Sequence, residues 1–499
     1  MNDMINPSEY YRDPNILRCM IEYCGGKTAG PVTAESGQPL DSSSELKQAA
    51  GTMTTEYLVG WGKKLLEERG RGFESVPLAS IGWLMDNGFD IFRSVWDRSH
   101  LLLVIDVEYF SKRYPQIPYL DQDYTFCRLE PFYRLIRNGL ESFGIHPFVL
   151  TTGQGYHFVF QVKIGSPAYI ELSAIGHMED TLKGKYEHLA PDTRRARPVT
   201  EEEGKAYDGA GRLLEYLYHL LIEEIRKTGS EIPFLIGDIA SGNENMEAVS
   251  FDLSGYANPI FMRDIRVAFS THQKHKAKSY KAGCEAAGMI PIQLSVPRVI
   301  PGCLDIELGE VLHNRRNYAH TANMASGVHC NIPDAGKGVL KLIASYKKSQ
   351  LYNFHQDFDR TEQEHFTRWH QTYDRFDLGR LPPCVSHALA NPNPHLLQPT
   401  QLQTLVRVLA GRNWWHPKHI AGLIRSKYER NHGWEVDFHK YDANTWACTW
   451  TRIYAGMLAD GADDRCDFNC LSHQQKGIAW ADKAYCVKPD CGYSLGDYR

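Results

Sequence analysis

Asp106 and Glu108 stand two residues apart, just after the apolar run Leu101–Ile105. Such a run suits a strand buried on both faces, and the two-residue period of a strand sends both carboxylates out of one face. Adjacent carboxylates repel unless a cation lies between them, and hard divalent ions such as magnesium or manganese take oxygen donors of this kind. A strand that merely ends in acids has the same spacing. Thr152-Gly153-Gln154-Gly155-Tyr156 leads into His157; the glycines admit close backbone approach, and a histidine beginning a strand can donate to a phosphate oxygen. A plain turn followed by a satisfied histidine fits the same residues. The third segment holds Asp252, then Arg263, Arg266, Ser270, His272 and Lys274. Arginine forks and a lysine point charge suit a triphosphate, and Asp252 would complete a three-carboxylate metal site. The competing reading is a solvated basic face.

Sulfur chemistry gathers at the other end. Of twelve cysteines, Cys466, Cys470, Cys486 and Cys491 crowd the last stretch, and Cys384 follows Pro382-Pro383. Four soft ligands can hold tetrahedral zinc or an iron–sulfur cluster, whereas unligated cysteines pack as small hydrophobes. Between them lie Arg407, Arg412, Trp414, Trp415, His416, Lys418, His419, Arg425, Lys427 and Arg430. These groups suit a phosphate backbone and unpaired bases, and they equally suit an amphipathic helix pair with core tryptophans.

The elements that must carry these groups can be read from periodicity. A helix is expected over Leu129, Phe132, Tyr133, Ile136 and Leu140, and a longer one over Leu213, Leu214, Leu217 and Leu220. Phe148-Val149-Leu150 and Phe158–Val162, joined by the glycine turn, predict a hairpin. Composition shifts suggest an N-terminal segment and mobile linker over 1–51, a strand-bearing unit with the acidic and glycine motifs over 52–325, a helical connector over 326–380 and a cysteine-bearing helical unit over 381–499. The fold class expected is α+β.

Lys and Arg total 55 against 60 Asp and Glu, a net charge of -5, which excludes a blanket of positive charge but not a local basic surface. No apolar stretch approaches the ~20 residues of a bilayer span. The acidic, polar opening residues do not form a secretory signal, so a cytoplasmic location without a membrane partner is expected, with cysteines kept reduced.

Taken in order, D-x-E, T-G-x-G-x-H, and D followed by R-x-x-R-x-x-x-S-x-H-x-K resemble the archaeo-eukaryotic primase superfamily, above all its small catalytic subunit, over roughly Leu101 to Tyr280. The stretch from Leu381 onward is similar to the iron–sulfur domain of the large primase subunit. The resemblance implies a single-chain primase-polymerase with a central, mostly antiparallel sheet flanked by helices and a mainly helical C-terminal domain. It implies that Asp106, Glu108 and Asp252 hold two magnesium or manganese ions, and that His157, Arg263, Arg266, Ser270 and Lys274 bind the incoming nucleotide. Cys384, Cys470, Cys486 and Cys491 would ligate a [4Fe–4S] cluster, with zinc and Cys466 as the alternative. The implied partners are single-stranded DNA template, ribo- or deoxyribonucleoside triphosphates, and a helicase or other replication protein. Three other readings are a primer-dependent gap-filling or terminal-extension polymerase, a metal-stabilised nucleic-acid-binding adaptor, and a carboxylate-metal nuclease. The nuclease leaves the Arg263-to-Lys274 set without a use.

Overall fold

The computed structural model describes residues 6–27, 44–188, 195, 197–228, 230–237, 247–257, 264–277, 283–284, 290, 292–391, 396, 398–411, 415–430, 442–462, 470–471, 473–474 and 486–498. Arg263, Arg412, Trp414 and Cys466 lie outside them.

The class is α+β. The strands are β1 (Leu58–Trp61), β2 (Phe73–Val76), β3 (Asp90–Ser94), β4 (His100–Ser111), β5 (Phe148–Thr151), β6 (Gly155–Lys163), β7 (Phe234–Ile236), β8 (Glu247–Asp252), β9 (Asp264–Arg266), β10 (Thr271–His272), β11 (Gln293–Leu294), β12 (Pro297–Ile300) and β13 (Leu304–Asp305). Seven of them form one sheet in the order β13-β12-β5-β6-β4-β8-β7. Its pairings are antiparallel except β7 with β8. A second sheet runs β2-β1-β3-β9, and β10 pairs with β11.

Alternation along β4 decides what each face of the large sheet does. Leu101, Leu103, Ile105, Val107 and Tyr109 are buried on one face. Two helices cover that face. In Gln122–Ser142 the ring of Tyr133 lies 5.1 Å from that of Tyr156, and in Glu201–Thr228 the ring of Tyr218 lies 5.6 Å from that of Phe251. Both helices fall where the three-and-four spacing predicts them, and the β5–β6 hairpin forms around the glycine turn. The other face of β4 carries Val104, Asp106 and Glu108, all part-exposed. One side of the sheet is therefore sealed by helices, while the other presents the part-exposed acids beside Val104.

Two expectations about organisation need correction. The residues before 52 are no appendage. Helix Pro14–Tyr23 buries Ile16, Cys19, Met20 and Tyr23, and Arg93 Nη1 donates to Tyr23 O at 2.6 Å. Within the expected linker, Ser44–Gly51 is helical, and residues 28–43 lie outside the described residues. Nor does 326–380 act as a spacer. Asp334 bridges to Gln161 of β6, and the helices Gly336–Tyr346 and Gln350–Arg360 bury Val339, Leu342, Ile343, Leu351 and Phe358. Polar, histidine-rich composition suggests separation, whereas two of those polar groups, His355 and Asp359, enter a buried ion network described below.

Candidate active site and cysteine cluster

Register brings the acids together. On β4, Asp106 lies opposite Asp252 of β8 on one side and opposite His157 of β6 on the other. Directly opposed residues on neighbouring strands share a face, so three motifs separated by up to 146 positions meet in one row. Glu108 follows two residues on, opposite Ser250 and Gly155. His157 Nε2 is 3.5 Å from Asp106 Oδ1, and Asp252 Oδ1 accepts from the Ser254 amide at 2.8 Å.

The glycine turn is shaped by close approach. A Cβ on Gly155 would lie 1.7 Å from the Val107 carbonyl oxygen, so a side chain there would wedge β6 off β4. On Gly153 it would strike the His272 ring at 2.1 Å, so the second motif packs directly against the third. Between these glycines Gln154 Nε2 donates to Glu108 Oε2 at 2.8 Å, and Tyr119 Oη donates to Gln154 Oε1 at 3.3 Å. Lys274 Nζ stands 3.9 Å from Glu108 Oε1 and keeps 39% of its side chain exposed, so it can still reach a ligand. His272 is wholly enclosed and stacked on Tyr119, and burial beside Arg266 and Arg315 drives its pKa well below the ordinary value. Its imidazole is therefore neutral in the folded state.

Arg266 and Ser270 do not sit as phosphate ligands. Arg266 is 5% exposed, its Nη1 lies 3.0 Å from Asp90 Oδ2, and its guanidinium covers the Phe92 ring. Ser270 is fully buried, and its Oγ accepts from the Ile91 amide at 2.7 Å. Both hold the third motif in shape. The N-terminal segment helps them. Tyr11 Oη donates to Phe89 O and accepts from the Thr271 amide, each at 2.9 Å, and Tyr10 Oη donates to Phe269 O at 3.0 Å. Phe269 has φ +64°, a conformation that costs a non-glycine residue about 1 kcal/mol or more, so this brace restrains a strained turn.

Asp264 was not anticipated. It stands on β9, in the second sheet, yet it lines one pocket with Asp106, Asp252 and His157, walled by Val104 and Tyr256. The signal available in the sequence was its two-residue spacing from Arg266, which puts both on one strand face. Gln154 and Tyr119 were likewise missed, since neither residue type marks chemistry on its own.

In the C-terminal unit, Cys384, Cys470, Cys486 and Cys491 are all partly buried. The Cys384 thiol is pushed up to about 12 by burial and by its neighbours Cys486, Cys470 and Cys491. Burial likewise raises Cys486, with Cys491 and Cys470 adding to the rise. Cys470 and Cys491 both turn their Sγ toward Tyr493 O. Four thiols distant in sequence therefore share one neighbourhood.

The described residues of the basic, aromatic stretch take the packed form instead. Arg407 and Lys418 are buried, and Lys418 pairs with Glu179. His416 bonds Asp357 at 3.0 Å, His419 lies 3.2 Å from Tyr373 Oη, and Arg425 pairs with Glu429. Lys427 and Arg430 both meet Asp374, and the Trp415 ring stacks edge-on against Phe376. Helices Pro399–Ala410 and Pro417–Tyr428 present these groups to the protein itself.

The donor sets fit the groups that the motifs imply. Carboxylates from β4 and β8 suit a hard divalent cation, and a four-thiol neighbourhood suits zinc or an iron–sulfur cluster. Among the described residues, no three or more His, Cys, Asp or Glu side chains are drawn together as they would be around a metal ion. Asp106, Asp252 and Asp264 share a pocket, not a coordination sphere. No family model, no curated protein and no solved structure matches this chain.

Proposed function

We propose that the chain is a template-directed nucleotidyltransferase of the primase-polymerase type. The reaction joins a 3′-hydroxyl oxygen to the α-phosphorus of a nucleoside triphosphate, breaks the bond to the bridging oxygen of the β-phosphate, and releases pyrophosphate; the hydroxyl proton passes to solvent. Asp106, Glu108 and Asp252 would hold divalent magnesium or manganese, which when bound supplies charge stabilisation at the reacting phosphate. His157, beside Asp106, is positioned to donate to a phosphate oxygen, and Lys274 supplies a cation at the rim. Gln154 orients Glu108. The observation that carries this reading is the direct pairing of Asp106 with Asp252 across β4 and β8, with Glu108 next on the same face.

The C-terminal cysteines would hold an iron–sulfur cluster or zinc, making that unit a rigid companion to the catalytic sheet. Extension of a supplied primer is favoured over de novo starts by one observation: the described basic and aromatic groups of residues 407–430 are engaged within the protein and so are not spread as a template grip.

The test is purified protein with single-stranded template, labelled nucleotides and manganese, with and without primer. Template-directed lengthening is expected, lost in an Asp106→Ala, Glu108→Ala double variant. Full activity in that variant refutes the assignment. Shortening of the DNA would indicate a nuclease instead.

A further inference from the structure

One face of the smaller sheet is buried at Val59 and Asp90 but stays open to solvent along its aromatic edge. Leu58 and Ile91 are fully buried on one side. The opposite side carries, strand by strand, Asp264 and Arg266 on β9, Phe92 on β3, Trp61 on β1 and Phe73 on β2. The register sets this row: Arg266 is opposite Phe92, Phe92 is opposite Val59, and Trp61, two residues on from Val59, is opposite Phe73. The rings form a continuous strip, with Phe73 at 6.4 Å from Trp61 and 6.1 Å from Phe92, and the Arg266 guanidinium 4.4 Å over Phe92. Phe73 is 46% exposed, while Trp61 and Phe92 are half-buried. Aromatic rings grouped on a sheet and left partly open to solvent mark an interaction surface.

Two features say what covers the strip. It starts at Asp264, which lines the same pocket as Asp106 and Asp252, so it runs directly out of the candidate active site. Strands lie about 4.8 Å apart, so three steps from β9 to β2 span about 14 Å. That is roughly the rise of four stacked nucleotides at about 3.4 Å each. The second feature is charge. Lys63 and Lys64 follow Trp61, and Arg71 precedes β2; each pairs with a neighbouring glutamate (Glu67, Glu68 and Glu74), yet their side chains stay 51%, 56% and 68% exposed, so a backbone phosphate can still reach them. Flat rings with flanking cations suit unpaired bases on a phosphate backbone.

We propose that Phe92, Trp61 and Phe73 form a stacking track for the unpaired template strand next to the catalytic acids. This deepens the nucleotidyl-transfer reading and rests on it. Stacked bases on the track enter the site in single file, and the contact is sequence-tolerant because every base offers a π face.

The experiment compares wild type, Phe73→Ala, Phe73→Tyr and Asp252→Asn by fluorescence anisotropy. The probes are a short single-stranded thymidine oligonucleotide and a duplex of equal length, and template-directed extension is run in parallel. Removing one stacking ring is expected to weaken single-strand binding roughly 5- to 100-fold, with little change on duplex and none in the KM for nucleotide. Phe73→Tyr should restore binding, and Asp252→Asn should bind the oligonucleotide as wild type does while failing to extend. Wild-type affinity in Phe73→Ala overturns the track, as does an equal loss on single strand and duplex. So does sedimentation showing a wild-type dimer that Phe73→Ala abolishes with oligonucleotide affinity unchanged. A selective single-strand loss together with a wild type that cannot extend any primer refutes the catalytic reading and leaves the track standing.

Discussion

If Asp106 and Asp252 are built to share a cation, the metal-free protein should be strained by their proximity, and Asp252→Asn tests this. Directly opposed residues of an antiparallel pair hold their Cβ atoms about 5 Å apart. Two unit charges at that separation repel by about 3 kcal/mol at an effective dielectric of about 20. The Asp106 side chain is 18% exposed and His157 Nε2 stands 3.5 Å from it, so solvent and imidazole reduce the figure to about 1–2 kcal/mol. Asparagine is isosteric, and its Oδ1 can go on accepting from the Ser254 amide. In chelator, Asp252→Asn is therefore expected to unfold at higher denaturant than wild type. Added manganese should reverse the order: wild type gains about 2.7 kcal/mol at a hundredfold excess over its Kd, and the variant gains far less. Denaturant melts with and without manganese, alongside the extension assay, measure both effects. A variant that is less stable than wild type in chelator, or that keeps the full manganese shift, refutes the shared site.

Tyr11→Phe deletes one hydroxyl and leaves the buried Thr271 amide and Phe89 carbonyl without their partner, a loss of about 1–3 kcal/mol. It should also raise the KM for nucleotide through the third motif; unchanged stability and KM would remove the N-terminal brace from the account. Burial lowers His355 from 6.5 to about 4 beside Glu215, itself lowered to about 2. Below pH 6.5 the unfolded chain takes a proton that folded His355 refuses, and below 4.5 the same holds for Glu215, so stability falls as pH drops through each window. The full histidine share is about 3 kcal/mol, and denaturant midpoints at pH 7 and pH 5 should show somewhat over half of it, about 2 kcal/mol. A His355→Gln protein with an equal drop would discount the assignment. Anaerobically purified protein should carry stoichiometric iron and sulfide with visible absorbance, or one zinc, and lose it on Cys384→Ser. A metal-free wild type would dismiss the cysteine cluster.

The three motif segments were legible because a strand obeys a period of two, so D-x-E already fixes a shared face before any fold is known. That β8 would pair with β4 so that Asp252 meets Asp106 was not in the local pattern, and it came in through resemblance. Residue type misled where burial decides role. Arg266 and Ser270 look like ligands on paper, yet Asp90 and the Ile91 amide, some 180 positions away, claim them. Asp264 was hidden for the converse reason: its place in the pocket depends on two sheets meeting, which no spacing within one segment encodes. The tryptophan-rich helices were open to two readings, and tertiary packing, with carboxylates from distant segments, chose between them.

A further set of carboxylates joins the C-terminal unit to the helix behind the acid-bearing sheet. Arg212 lies between Asp208 at 2.6 Å and Asp359 at 2.7 Å, while Arg452 reaches Asp208 at 3.0 Å and Glu215 at 3.4 Å. His355 completes the set on Glu215 at 3.1 Å. These groups come from Glu201–Thr228, Gln350–Arg360 and Ala443–Ala459, and the arginines and Glu215 are almost fully buried. Buried ion networks add little net stability, because desolvation offsets attraction, but losing one partner strands the rest at about 3–5 kcal/mol. The network thus contributes specificity: it accepts one placement of the helix Ala443–Ala459 and penalises others. Helix Glu201–Thr228 carries the network on one side and covers the apolar face of the acid-bearing sheet on the other. One helix therefore touches both the C-terminal unit and the back of the strands that hold Asp106 and Asp252.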